Sequence, residues 1–335
     1  MSRTRELAEL ATAYDSGTPL GFRNRIINGG MVIDQRNNGA SVTITNVLSR
    51  TYITDRWNVY GSTTSKFSAQ QNAGAVTPPS GFTNYLGMTS LSSYSVASGE
   101  FYLLAQEIEG FNTADLGWGT ANAQPITLGF WGRSSLTGAF SGALSNAGFN
   151  RSYPFSFTIN AANTWEYKTI TVPGDTSGTW LTNNGIGISL NFNLGSGSSN
   201  LGTPGAWGGA GRVGVTGSQS IISTNGATFY ITGVQLEAGS VATPFERRPY
   251  GTELALCQRY YQLLSGTFTD YGVSGKTQAT YWTFPVVMRA TPTVTLGGGS
   301  LSTATEILTA QIFGVYTLSP GSARIASGTT ASAEL

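Results

Sequence analysis

Two glutamates, Glu107 and Glu109 in the stretch FYLLAQEIEG, come nearest of any residues to a catalytic device. Two positions apart on a strand, their carboxylates would project to one face. Glycoside hydrolysis uses two carboxyl groups about 5–9.5 Å apart across the scissile bond. The same spacing arises readily on an ordinary solvated strand face, and with no supporting motif nearby that is the expectation for this pair. Asp55-Arg56 reads as a structural ion pair or turn element. The chain has no histidine and one cysteine, Cys257. Histidine is the side chain that titrates near neutrality without help, and the commonest metal ligand. Ser-His-Asp and Cys-His nucleophiles and His-rich zinc sites are therefore excluded from this chain alone, as are Cys-cluster metal sites and an intrachain disulfide. The glycine-rich runs GWGTAN and GGAGRVG lack the GK[ST] ending of a phosphate cradle and read as turns. The sequence points to a protein that is not an enzyme, with no catalytic and no metal-ligating set.

Aromatic side chains are the better lead. Sugar rings stack their apolar faces on Trp and Tyr, and binding sites join such surfaces to a few convergent polar groups. Trp118 in DLGWGTAN and Trp207 in PGAWGGAG are flanked by glycine, which places them on loops. Three roles stand open for them: glycan contact, subunit interface and local packing. Trp57, Trp131 and Trp165 occupy strand-like segments and are expected in the core. Trp180 and Trp282 are left undecided.

The elements that must position these residues are strands. Charged residues are 10% of the chain, against about 25% in an ordinary globular protein. Glycine is abundant, at 44 residues, and the apolar fraction of 40% is enough for a packed core. The formal charge of +1 gives no footprint for nucleic acid, and no apolar run is long enough for membrane insertion. Residues 3–15 predict a short helix, with Leu7, Leu10, Ala11 and Tyr14 on one stripe for anchoring or oligomerisation. It lacks the apolar stretch of a signal peptide, in keeping with synthesis in the cytoplasm. From 23 to 250, short alternating segments such as SVTITNV, TDRWNVYGS and NGIGISLNFNLG are separated by glycine-rich turns. This predicts an all-β fold, an antiparallel β-sandwich of jelly-roll type. The Gly/Ser/Asn/Trp stretch 195–220 is a long loop, of a length that is usually functional or mobile. A connecting helix is expected at 251–266, with Leu254, Cys257, Tyr261 and Leu264 forming a narrow seam. A small C-terminal β-domain is expected at 267–335; a core that small leans on a partner. Residues 1–22 are set apart as N-terminal helix and linker.

Several blocks resemble one family. ITGVQLEAGSVATPFERRPYGTELALCQRYYQ resembles the end of a carbohydrate-binding-module-like, galactose-binding-like jelly roll found in bacteriophage tail-fibre and prophage structural proteins. RNRIINGGMVIDQRNNGASVT followed by TDRWNVYG resembles its first strands. LGFWGRSSLTGAFSGAL, TWEYKTITVPGDTSGTW and NGIGISLNF resemble its middle strands, and FPVVMRATPTV resembles a small distal β-domain. The resemblance implies a virion location, a homotrimer, and other tail, baseplate or neck proteins as partners. The implied function is a tail-fibre subunit recognising a host-surface glycan. A head-fibre, decoration or baseplate protein without receptor binding is the alternative, and a glycan-degrading tailspike a third. It transfers no catalytic residue and no cofactor. Related modules hold a structural Ca²⁺ near the junction of first and last strands, where Asn28 and Glu237 fall, without a ligand set to assign.

Overall fold

Alternation decides which residues of each strand face inward. In the segment 186–196, Ile188, Leu190, Phe192 and Leu194 are fully buried and apolar, while Ser189, Asn191 and Asn193 occupy the opposite face. A computed structural model of the chain describes residues 22–264, 267–270, 278–298, 304–307, 309–317 and 323–335. The predicted helix carrying Leu7, Leu10 and Tyr14 lies outside the described residues. The chain divides into two units, Met1–Arg248 and Pro249–Leu335.

In chain order the first unit holds β1 (Val42–Thr43), β2 (Thr51–Thr54), β3 (Trp57–Gly61), β4 (Phe67–Gln71), β5 (Leu86–Ser90), β6 (Phe101–Glu109) and β7 (Ile126–Ser134). There follow β8 (Gly138–Ser145), β9 (Ser152–Ile159), β10 (Glu166–Val172), β11 (Ile186–Ser196), β12 (Leu201–Gly202), β13 (Gly214–Val215) and β14 (Thr228–Ala238). Two six-stranded antiparallel sheets result, ordered β1-β4-β5-β14-β7-β10 and β2-β3-β6-β11-β8-β9. They pack face to face as the expected jelly-roll sandwich. Phe130 and Phe229 of the first sheet meet Phe192 and Phe140 of the second at 5.1 and 5.7 Å between ring centroids. Such buried aromatic pairs contribute about 0.5–1.5 kcal/mol each beyond the area they cover.

The entry and exit of this unit are joined. Arg25 donates its N–H to Leu236 O at 2.8 Å, and the Asn24 amide bridges Val234 O and the Leu236 N–H. The Asn24 N–H donates to Glu246 at 2.6 Å, while the Arg248 guanidinium reaches the carbonyls of Ile26 and Asn24.

The second unit opens with α1 (Tyr250–Gln258) and continues through β15 (Tyr261–Leu263), β16 (Phe268–Asp270), β17 (Gln278–Thr283), β18 (Thr293–Thr295), β19 (Ala304–Ile307), β20 (Ile312–Thr317), β21 (Ala323–Ile325) and β22 (Thr330–Ser332). Its described core gathers Leu264, Phe284, Met288, Phe313, Val315 and Ile325. The expected helical seam is corrected here. Cys257 is fully buried on α1, but Tyr261 lies in β15, paired with Ser332 of β22, and Leu264 follows the strand. Leu254 is half-buried. The helix stops where Tyr260-Tyr261 begins an aromatic segment that gains more by pairing with β22 than by another helical turn.

Candidate functional site

The outer face of the second sheet is the unusual surface of this molecule, because it is polar and yet largely covered. Asn58, Glu107, Asn191, Asn193, Ser141 and Ser145 all point away from the sandwich core and are each under a tenth exposed. The cover comes from the long loop expected at 195–220, which is ordered across this face. Within it β12 and β13 pair in parallel, Gly208 bridges Ser152 of β9, and Arg212 N donates to Ser152 Oγ at 3.0 Å. Asn200 fixes its near end by donating to Glu100 O at 3.0 Å.

A cleft of about 460 Å³ remains between loop and sheet, within the range of about 300–1,000 Å³ typical of small-molecule sites. Its floor is Asn58 of β3, Leu103, Ala105 and Glu107 of β6, and Ser189 and Asn191 of β11. Tyr60 and Phe101, 5.3 Å apart, border it as an aromatic pair. Phe149, 44% exposed, borders it from the β8–β9 loop. That ring is placed deliberately by the backbone. Phe149 has φ of 53°, a left-handed conformation in which a bulky side chain is an outlier. The loop is made rigid by buried Asn146, whose Oδ1 accepts from the N–H groups of Asn150 and Arg151. Gly211 opposite has no room for a side chain: a Cβ there would lie 2.1 Å from Phe149 Cδ1.

The polar centre is Glu107. Its Oε1 accepts from Arg50 Nε at 2.9 Å and its Oε2 from Asn58 Nδ2 at 2.7 Å. Burial works against the charge on Arg50, but the Glu107 carboxylate and its hydrogen bond outweigh that and raise the arginine above its ordinary pKa. Asn58 Oδ1 is buried without a hydrogen-bond partner, which leaves an unmet acceptor beside the cleft. The arrangement offers hydrogen-bonding groups at the bottom and aromatic rings at the rim, the pairing that suits a ring with hydroxyls on its edge and apolar faces.

The expected solvated face for Glu107 and Glu109 is thus corrected, since both are almost fully buried. Trp118 and Trp207 are brought together, but not as an open platform. With Trp180 they form a triangle of edge-to-face rings at 4.7, 5.2 and 5.3 Å, with Tyr153 5.2 Å from Trp207. Trp118 is 7% exposed. Its indole N–H donates to Gln124 O and that of Trp207 to Pro173 O, both at 2.7 Å. Gly119, where a Cβ would lie 2.8 Å from Gly178 O and 3.3 Å from Trp180 Cδ1, lets its loop close on these rings, so of the three open roles local packing is the one the geometry supports. Trp57 is in the core, whereas Trp131 and Trp165 are half-buried on the outer face of the first sheet, beside Tyr167 and Tyr85.

Asn28 and Glu237 do not fit a calcium site. Asn28 is bonded to Ile33 and to Asp55 O. Glu237 accepts from Gln235 Nε2 and from the N–H and hydroxyl of Thr243, so neutral protein donors already occupy its oxygens. Among the described residues no group of three or more Asp, Glu, His or Cys could hold a metal. The cleft residues Arg50, Asn58, Tyr60, Phe149 and Asn191 escape the sequence reading. The alternation of Ser189, Asn191 and Asn193 against buried neighbours was the available signal.

No family model and no curated protein matches this chain. Its structural neighbours include carbohydrate-binding modules, a phage tailspike domain and an α-L-arabinofuranosidase, all at low identity. The enzymatically active domain of bacteriophage CBA120 tailspike protein 4 is 13% identical over 64% of this chain, with a TM-score of 0.35. The match spans about a fifth (21%) of that domain's length. The carbohydrate-binding module TmCBM61, in complex with β-1,4-galactotriose, is 13% identical over 65% of this chain and 100% of its own, TM-score 0.31. A family 11 module from Clostridium thermocellum, in complex with a β-1,3-1,4-mixed-linked tetrasaccharide, is 14% identical over 61% and 98%, TM-score 0.29.

Proposed function

We propose that this protein binds a glycan in the cleft above β3, β6 and β11, as a non-enzymatic recognition subunit of a bacteriophage surface appendage, a homotrimeric tail fibre being the form the sequence blocks favour. The observation that carries the binding is the cleft itself, with the Arg50–Glu107–Asn58 array at its floor and Phe149 held at its rim. The virion setting and the trimer rest on the family resemblance of the sequence. Against hydrolysis, Glu107 is the single carboxylate among the described residues bordering the cleft, and cleavage of a glycosidic bond uses two.

The test is direct. The pure full-length protein is applied to a glycan array and to host cells, beside Arg50→Met and Phe149→Ala. Saturable binding by the parent protein, lost in both variants while their circular dichroism is unchanged, is the expected result. A folded protein that adsorbs to no glycan and no cell would overturn the reading in favour of a purely structural virion role. Release of reducing ends from any array member would overturn the non-enzymatic part. Light scattering at three times the chain mass is expected for the assembly.

A further inference from the structure

Resting on the reading that the cleft takes a sugar, we infer that it selects a 2-acetamido sugar, an N-acetylhexosamine, and receives the acetamido group on its floor. The observation behind this is the cross-strand row Asn58, Ala105, Asn191. Asn58 is paired with Ala105 across β3–β6, and Asn191 with the same alanine across β6–β11. Outward side chains on one such row stand side by side, so two amides flank a methyl-sized floor. Strands about 4.8 Å apart place the two asparagine backbones about 9.5 Å from each other. An acetamide bonded at both ends spans about 8 Å, from two hydrogen bonds of about 2.9 Å and about 2.3 Å between its own nitrogen and oxygen. The fit leaves its methyl over Ala105.

The chemistry of each flank agrees. The Asn58 amide already donates Nδ2 to Glu107 at 2.7 Å, which fixes the orientation of the group and leaves the buried Oδ1 without a donor. An acetamido N–H supplies that donor. On the other side, Asn191 Nδ2 has only a long 3.4 Å contact with Ser189 Oγ and can turn to the acetyl carbonyl. The width of the cleft points the same way. Asn58, Leu103, Ala105 and Asn191 border it yet are 0%, 3%, 2% and 4% exposed, so the space above them is a closed slot that admits a group only as its rim side chains part. A flat substituent enters such a slot edge-on, while the pyranose ring stays at the rim beside Phe149. The other flat sugar substituent, a uronic carboxylate, has no N–H to give the bare Asn58 oxygen and is repelled by Glu107 there, while the positive charge of Arg50 is already engaged by that same glutamate at 2.9 Å.

The experiment uses the full chain and five methyl glycosides: those of N-acetylglucosamine, N-acetylgalactosamine, glucose, galactose and glucuronic acid. Affinities come from calorimetric titration, and saturation-transfer NMR reports which ligand protons touch the protein. The two acetamido glycosides are expected to bind at least about tenfold tighter than their parent hexosides, because a buried acceptor is left unmet without the N–H. The acetyl methyl is expected to show the strongest transfer. Ala105→Val, which fills the methyl's place, is expected to erase the preference; should that chain not fold, Asn191→Ala replaces it with the same expectation. Parent hexosides or the glucuronide binding as tightly as the acetamido forms would overturn the selection while leaving glycan binding intact. A preference that survives in the variant would do the same. Failure of every sugar, on the array as well as in titration, would remove both readings together.

Discussion

Replacing Glu166 by glutamine will destabilise the first unit at neutral pH, by an amount that fades as pH falls through about 2. Glu166 opens β10 and gathers four donors. Its Oε1 accepts from the N–H groups of Asn160 and Ala161, both at 2.8 Å, and its Oε2 from Asn160 Nδ2 at 2.8 Å and Lys168 Nζ at 2.6 Å. Burial pushes the carboxyl upward, but the Lys168 ammonium and the Asn160 and Ala161 donors overcome it and hold the pKa near 2 instead of 4.5. At about 1.36 kcal/mol per pKa unit the ceiling is about 3 kcal/mol. The carboxylate is partly hydrated (15% exposed), and solvent screening brings the expectation to about 1–2 kcal/mol. The sign follows from linkage: a depressed carboxylate pKa gives stability that is complete above the unfolded value and lost as pH falls through the folded one. The wild-type advantage over Glu166→Gln should therefore be full above pH 4.5 and shrink steadily toward pH 2. Guanidinium unfolding followed by tryptophan fluorescence reads this unit, since six of the seven tryptophans lie in it. A gap that is absent at pH 7, or that keeps its size at pH 2, would refute the account of Glu166 as an ionised clasp of the β9–β10 turn.

Three further outcomes follow from the cleft and its surroundings. Phe149→Ala should weaken glycan binding about tenfold or more in calorimetry while shifting the melting temperature little, because the ring is 44% exposed and alanine keeps the same left-handed backbone cost. Gly211→Ala should imitate that loss of affinity by pushing aside the ring that packs directly on it; unchanged affinity would show that the rim aromatic is not a contact. Trp118→Ala should behave oppositely, costing about 3–5 kcal/mol in denaturant unfolding with the glycan affinity of the surviving folded fraction unchanged.

The sandwich was legible because its strands advertise themselves: Ile188, Leu190, Phe192 and Leu194 alternate with polar residues in a pattern that only a strand with one buried face explains. The site was less so. Glycine close to Trp118 and Trp207 correctly signals a loop, but not that three loop tryptophans would close on one another. That outcome depends on distances between segments some 30 to 90 residues apart. Glu107 looked like a solvated strand residue since nothing local reveals that the 195–220 loop returns over β6. The buried asparagines are invisible for the same reason: Asn58 and Asn191 become neighbours of Ala105 through registry of three strands. The seam through Tyr261 failed because the four-residue step from Cys257 to Tyr261 keeps one face in a helix and in a strand alike, and pairing with β22 decided between them.

The clasp between residues 24–26 and 246–248 has a mechanical consequence. Tension pulling on the two ends of the first unit enters at Asn24 and leaves at Arg248, and these are bound to each other and to β14. The load path is thus short and runs along one margin of the module. The sheet that carries the cleft joins that path just after the clasp, where Ile27 exchanges hydrogen bonds with the Gln106 amide of β6. A tug on the chain would strain the Glu246 and Arg248 fastenings before it reached Asn58, Ala105 or Asn191.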